Sequence, residues 1–176
     1  MDFKQIALER QSCRNFDPDR DVEQEKIEKI LEIARLAPSA CNAQPYHISV
    51  LKGEMAKEAA KATVSMGLNG FTKDVPVMIV ITEDSYNKTA ALGSKIKDID
   101  YRSIDIGILC THIVCAAHEE GLSTCILGWI DEKKIRHLLN TDKKAHLIVA
   151  LGYASPDDKL RNKKRKSTEE LITYMY

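Results

Sequence analysis

Residues 102–128 read RSIDIGILCTHIVCAAHEEGLSTCILG, and this stretch decides the fold class. Apolar side chains occur nearly all round residues 102–120, which predicts a helix buried in the core or at a subunit interface. Gly121 follows as the residue that ends such a helix, because glycine tolerates a left-handed backbone. A short strand is predicted next, over 123–127. A buried helix that leads directly into a strand indicates a domain that mixes helices and sheet.

The hydrophobic pattern on either side of this stretch predicts the remaining elements. Val75–Thr82 (VPVMIVIT) is a continuous apolar run, as expected of a strand buried on both faces. Further strands are predicted over 46–51 and 145–153, with strand character at 169–176, and helices over 2–9, 23–37, 54–65 and 132–139. Segment 83–100 has no clear pattern. We expect one α+β domain over residues 1–176, with a mixed central sheet of about four to five strands flanked by helices.

Composition excludes several classes of protein. The 176 residues include 26 Lys and Arg against 26 Asp and Glu, and this zero net charge argues against a nucleic-acid binder. No apolar run reaches the ~18 residues that a membrane helix needs, and no signal peptide is recognised, so no membrane partner is expected. The five cysteines form no C-x-x-C pair, which favours a reducing cytoplasmic location over a disulfide scaffold.

The first chemical motif is Arg10-Gln11-Ser12-Cys13-Arg14. In an extended chain residues 10, 12 and 14 share one face, so two guanidinium groups and a hydroxyl converge. Arginine forms bidentate, charge-assisted hydrogen bonds with phosphate. The alternative is a surface ion-pair segment at a helix end, in which a helical backbone would turn Ser12 away.

The second motif is residues 38–46, PSACNAQPY, in which two prolines bracket a hydroxyl and two amides. Asn42 and Gln44 can each donate and accept hydrogen bonds, which suits the edge of a heteroaromatic ring. The alternative is a connector in which these amides satisfy nearby backbone groups.

The third motif is a basic run over 159–166, where six of eight residues are Lys or Arg. A solvated charged surface is the ordinary explanation of such a run. These cations could also close over a phosphate held by Arg10 and Arg14. By contrast, the usual glycine-rich phosphate loops and serine nucleophile motifs are missing, and the spacing of Cys110, His112, Cys115 and His118 does not favour a metal site.

In this order, the motifs resemble the nitroreductase family, flavoproteins that carry FMN. The ordered set covers nearly the whole chain and is specific, although each motif alone is weak. It comprises Arg10-x-Ser12-x-Arg14, Ala37-Pro38-Ser39-x-x-Asn42-x-Gln44-Pro45-Tyr46, Lys73-Asp74-Val75-Pro76, Asp105-x-Gly107, Glu120-Gly121-Leu122-x-Thr124-Cys125, Ile126-Leu127-Gly128 and Lys163-Lys164-Arg165-Lys166. Tyr46 departs from the family, where Trp is common, and many larger relatives have Glu at the position of Leu127.

The resemblance implies a homodimer with FMN sites at the subunit interface. The backbone N–H of the turn at Leu127 and Gly128 would face flavin N5, and no catalytic side chain is required. The residues that match the family's positions around the ribityl phosphate are Arg10, Ser12, Arg14, Lys163 and Arg165.

The same resemblance implies that a second segment reaches the flavin of the other subunit. Its residues are Pro38, Ser39, Asn42 and Gln44. Asn69 or Lys73 would support flavin N1 and O2, and a C-terminal extension over 160–176 would lay a strand on the partner. Cys41 has no assigned role, and segment 83–100 is expected to shape the substrate side.

The implied activity is transfer of a hydride from NADH or NADPH, through flavin N5, to an organic acceptor such as a nitroaromatic or quinone by a ping-pong mechanism. Two alternatives stay open. One is a flavoprotein of the same fold that performs reductive dehalogenation or flavin cleavage. The other is a non-enzymatic binding module that uses the basic run over 159–166.

Overall fold

The computed structural model describes residues 2–176 and is built on a four-stranded sheet. Its strands are β1 (Tyr46–Lys52), β2 (Val77–Glu83), β3 (Ser123–Leu127) and β4 (Ala145–Gly152). The spatial order is β1-β2-β4-β3, and each neighbouring pair is antiparallel. The central strands β2 and β4 are therefore buried, while β1 and β3 form the two edges.

Helices cover both faces of this sheet, which confirms the α+β class. They are α1 (Phe3–Glu9), α2 (Gln24–Ala34), α3 (Gly53–Thr63), α4 (Lys88–Lys97), α5 (Tyr101–Glu119), α6 (Glu132–Leu139) and α7 (Thr168–Leu171). Short 3₁₀ turns lie at Ala40–Asn42 and Gly70–Asp74. Within residues 2–176, no helix is both long enough and apolar enough to cross a bilayer.

The alternation of β2 explains its continuous apolar sequence. Ile79 and Ile81 pack in a core with α2 and α5, whereas Met78 and Val80 pack in a second core with α3 and α6. Successive side chains of a strand point to opposite faces, so a strand covered on both sides needs apolar residues at every position.

The segment after α1 contacts the β3 edge of the sheet at Ser12 and Cys13 and then pairs with the residues that follow β4, through Phe16 and Ala154. Ser12 forms a parallel bridge with Thr124, and the Cys13 N–H donates to the Thr124 carbonyl at 2.9 Å. Helix α1 ends at Glu9, residues 10–14 are not helical, and Ser12 pairs as a strand residue does, which agrees with the phosphate hypothesis rather than with a helical segment.

Three parts of the sequence prediction differ from the structure. In the single chain residues 169–176 form no strand: residues 169–171 belong to the helical turn α7, which the reciprocal capping box of Ser167 and Glu170 starts. Pairing of the residues after α7 with a partner subunit stays a prediction. Segment 83–100 contains α4, which Asn87 caps by accepting a hydrogen bond from the Ala90 N–H at 2.8 Å. Predicted helix 23–37 also ends earlier, at Ala34.

Candidate functional site

The two ends of the chain meet at one cavity of about 330 Å³, which we call the basic cavity. All five side chains predicted to surround a phosphate line it. The lining residues are Arg10, Gln11, Ser12, Arg14, Arg161, Asn162, Lys163, Lys164 and Arg165. The structure thus brings together two motifs that lie far apart in the sequence. Residues 11 and 161, which are in contact, are 150 positions apart.

Gln11 fastens these two ends and was not identified from the sequence. Its amide nitrogen donates to the Lys159 carbonyl at 3.2 Å and to Asp158 Oδ2 at 3.3 Å, and its Oε1 accepts from the Arg161 N–H at 3.0 Å. Arg161 also donates to the Ser12 carbonyl at 2.5 Å and pairs with Asp158 at 2.8 Å. Part of the basic run is therefore hydrogen-bonded to residues 10–12, although Lys163 alone among residues 159–166 is partly buried.

The remaining cations of the basic cavity carry positive charge that no carboxylate neutralises. Within residues 2–176, Arg10, Arg14, Lys163 and Arg165 form no ion pair with an Asp or Glu side chain. Desolvation and the neighbouring charges of Arg10 and Arg165 lower the pKa of Lys163. Such crowded like charges favour a bound anion with several acceptor oxygens.

The β3 edge leads away from the basic cavity and ends at Leu127. Because the Thr124 carbonyl faces Cys13, alternation puts the backbone of Ile126 on the same outer edge, with Gly128 two residues further along. At ~3.3 Å per residue, Gly128 is about 13 Å from Thr124 along this edge. The Leu127 side chain is buried in the core, and by the same alternation its backbone faces β4, so Gly128 is the residue of this turn whose backbone faces outward.

Residues 38–46, which we call the amide loop, hold their shape through internal hydrogen bonds. Ser39 Oγ accepts from the Gln44 N–H at 3.0 Å, and the Gln44 amide donates to the carbonyl and Oδ1 of Asn42, both at 3.1 Å. Cys41, Asn42 and Gln44 have positive φ angles of 51°, 50° and 46°. The side-chain amides of Asn42 and Gln44 thus bond to each other within the loop, and Pro38, Asn42 and Gln44 are all exposed.

Segment 84–105 forms the support of the amide loop. Asp105 Oδ1 accepts from the Ala40 N–H at 3.0 Å, and the Asn87 amide donates to the Cys41 carbonyl at 3.0 Å. The Asp84 N–H donates to the Pro45 carbonyl at 2.8 Å. Segment 83–100, which has no clear sequence pattern, is therefore part of the structure that packs against the amide loop.

The structure does not bring the amide loop to the basic cavity of the same chain. The loop contacts α5 at Asp105, whereas Glu9, next to Arg10, contacts α5 at His118, with Oε2 and Nε2 3.7 Å apart. Thirteen helical residues at ~1.5 Å each separate these two contacts by about 20 Å. The two halves of the predicted site thus lie towards opposite ends of α5.

Asn69 and Lys73 line neither half. The Asn69 amide donates to the Thr63 carbonyl at 3.1 Å, so it serves the end of α3. Lys73 lines a different cavity, beside Lys52 and Lys57. Their proposed support of flavin N1 and O2 stays a prediction. Within the described chain, no three His, Cys, Asp or Glu side chains are grouped to hold a metal ion.

Comparison with known proteins agrees with this architecture. Residues 7–69 and 54–153 match the model of the Nitroreductase family. The chain belongs to the nitroreductase family. It is 26% identical to the oxygen-insensitive NADPH nitroreductase of Helicobacter acinonychis, over 98% of this chain and 96% of that protein. It is 35% identical to the CLA biosynthesis enone reductase of Lactiplantibacillus plantarum, over 89% of this chain and 87% of that protein.

A solved structure shows the same fold. The FMN-dependent nitroreductase from Clostridium difficile superimposes with a TM-score of 0.78, at 24% identity and over 97% of this chain and 98% of that chain. The family and the α+β fold expected from the motifs are thereby confirmed for this nitroreductase-family protein.

Proposed function

We propose that this nitroreductase-family protein is an FMN-dependent oxidoreductase that uses NADH or NADPH to reduce an organic acceptor such as a nitroaromatic or quinone. The observation that carries the proposal is the basic cavity, in which Arg10, Arg14, Lys163 and Arg165 converge without a carboxylate partner. Relatives named as an NADPH nitroreductase and an enone reductase, and a structural neighbour named as FMN-dependent, support this assignment.

The residues present fit FMN. The basic cavity suits a phosphate monoester, since arginine and lysine donors surround it and Ser12 adds a hydroxyl. The outer edge of β3 continues from there to Gly128, so an elongated ligand anchored by its phosphate can lie along this edge and reach the Gly128 backbone. Bound FMN would supply hydride acceptance and donation at N5. The chain would bind and orient the cofactor.

A homodimer would complete this site. Pro38, Ser39, Asn42 and Gln44 lie about 20 Å along α5 from the basic cavity of their own chain, so we assign them to the flavin of a second subunit. The C-terminal extension supports a dimer, because Leu171, Tyr174 and Met175 are exposed on a single chain. Burial against a partner would remove this apolar surface from water.

We infer ping-pong kinetics, with reductant and acceptor occupying the same open face in turn. No nucleophilic or acid–base side chain is needed for that exchange, so the chain would contribute binding and orientation. Reductive dehalogenation and flavin cleavage would use the same site. Steady-state assays of NADH and NADPH against a panel of acceptors separate these chemistries, and parallel double-reciprocal lines are the expected kinetic pattern.

The direct test is the visible absorption spectrum of the purified protein after incubation with FMN and removal of free flavin. A retained flavin spectrum, close to one FMN per chain, is the expected result. Protein that stays colourless overturns the proposal. The binding-module alternative predicts salt-sensitive nucleic-acid affinity that is lost on truncation after Pro156.

A further inference from the structure

Asp105 is a buried acidic residue without an assigned role. It lies in the second turn of α5 and is only 2% exposed. Its Oδ1 accepts from the Ala40 N–H at 3.0 Å, while its Oδ2 is buried with no hydrogen-bond partner within the described residues. Burying a carboxylate is costly unless its contacts compensate. The one contact it makes to a backbone donor is to the start of the amide loop.

That contact holds a strained segment. Ala40 begins the 3₁₀ turn, and it is followed directly by Cys41 and Asn42 in the left-handed region that non-glycine residues avoid. The hydrogen bonds among Ser39, Asn42 and Gln44 fix the loop internally but attach it to nothing else. Among residues 2–176, segment 84–105 attaches the loop to the body of the chain through Asp84, Asn87 and Asp105, and Asp105 is the charged acceptor of these three contacts.

We propose that Asp105 is the positioning residue of the amide loop, and that its carboxylate fixes the direction in which Ser39 and Asn42 are presented to the flavin of a partner subunit. This inference rests on the proposed function for its ligand. The contact between Asp105 and Ala40 is independent of any cofactor. A charge-assisted hydrogen bond is stronger than a neutral one and is shielded here from water, so it suits a segment that must hold an unfavourable backbone.

The first measurement needs no flavin. Amide hydrogen exchange of residues 39–44 is compared in the FMN-free full chain for wild type, Asp105→Ala, Asp105→Asn and the control Asp98→Asn. Asp98 is exposed in the same segment, with a left-handed backbone that Asn also tolerates. We expect Asp105→Ala to accelerate exchange in the loop on the order of tenfold, the loss of one bond to a charged acceptor. Asp105→Asn should restore most of the protection, because its Oδ1 still accepts from Ala40.

The second measurement is FMN affinity, read by flavin fluorescence. We expect Asp105→Ala to bind FMN on the order of tenfold more weakly, with Asp105→Asn and Asp98→Asn close to wild type. Unchanged loop exchange in Asp105→Ala overturns the inference, as does equal loss of protection in the loop and in β2 and β4, which would mark general destabilisation. If wild type itself does not bind FMN, the proposed function fails while the exchange result still decides the role of Asp105.

A variant of the donor covers the case in which Asp105→Ala does not fold. Ala40→Pro removes the same N–H without leaving a buried cavity, and the extended backbone of Ser39 (φ −144°, ψ 157°) is compatible with a following proline. Faster exchange in residues 41–44 of this variant supports the inference. Wild-type exchange rates there overturn it.

Discussion

The basic cavity and the amide loop are assembled by different physics. The basic cavity joins the two ends of the chain, keeps an extended backbone and concentrates unneutralised positive charge. The amide loop is local, carries no charged side chain and depends on three left-handed residues held by hydrogen bonds. Substitutions in the basic cavity should therefore weaken FMN binding by removing charge, and the loss of affinity should depend on salt concentration. Substitutions in the amide loop should weaken FMN binding by changing the loop conformation, and that loss should not depend on salt concentration.

The largest effect is expected in the basic cavity. Arg14→Ala removes up to two charge-assisted bonds, and a loss of about 2 kcal/mol, or roughly 30-fold in FMN affinity, should follow. Adding Lys163→Ala should extend the loss to about a thousandfold. Fluorescence titration at low and high ionic strength measures both the affinity and the salt slope.

Lys166→Ala is the matched control for that prediction. It lies in the same basic run but does not line the cavity. An equal loss of FMN affinity in Lys166→Ala and Arg14→Ala would show that general charge, rather than the cavity, attracts the ligand.

An intermediate effect is expected in the amide loop. Asn42→Gly removes the side-chain amide and tolerates the left-handed backbone. Asn42→Ala removes the same amide, and its left-handed backbone costs about 1 kcal/mol in addition. The Ala variant should bind FMN about fivefold more weakly than the Gly variant, at every salt concentration. If the difference in FMN affinity between the Gly and Ala variants changed with salt concentration, the prediction that the amide loop acts through conformation rather than charge would be wrong.

The smallest effect concerns pH. Lys163 has a lowered pKa because desolvation and the charges of Arg10 and Arg165 disfavour its protonated form. As pH rises, it should lose its charge before an ordinary lysine does, so FMN affinity should decline by a few-fold at alkaline pH. Lys163→Arg should flatten this decline, because arginine stays protonated. Dissociation constants measured from neutral pH to the ordinary lysine range test this, and an unchanged decline in the Arg variant would exclude Lys163 as its source.

The sequence was a good guide wherever the information was local. The alternation of Arg10, Ser12 and Arg14 predicted their shared face, and the apolar run of β2 predicted a strand covered on both sides. Gln11, Asp158 and Arg161 were missed because their partners are distant in sequence and nothing in their own neighbourhood marks them. Their pairing follows only from the sheet that brings the two chain ends together.

Two further differences between the predicted and the observed elements, at the C-terminus and at α4, have local causes. The terminal residues LITYMY have the composition of a strand, but the capping box at Ser167 and Glu170 favours a helical turn that includes Leu171. Helix α4 was missed because its apolar pattern is weak. It is fixed by the Asn87 cap and by a left-handed end at Asp98. For the amide loop, the amides of Asn42 and Gln44 bond within the loop, as the connector interpretation predicts, and both residues are also exposed, as contact with a ligand requires.

The length of α5 between its contacts with the amide loop and with α1 has a genetic consequence. If each site combines the basic cavity of one subunit with the amide loop of the other, an inactivating mutation in either region disables both sites of a dimer of identical chains. When a chain damaged in the cavity pairs with a chain damaged in the loop, both lesions fall in the same site and the other site is intact. Two inactive alleles expressed together can then complement each other within the gene, restoring one working site in each hybrid dimer.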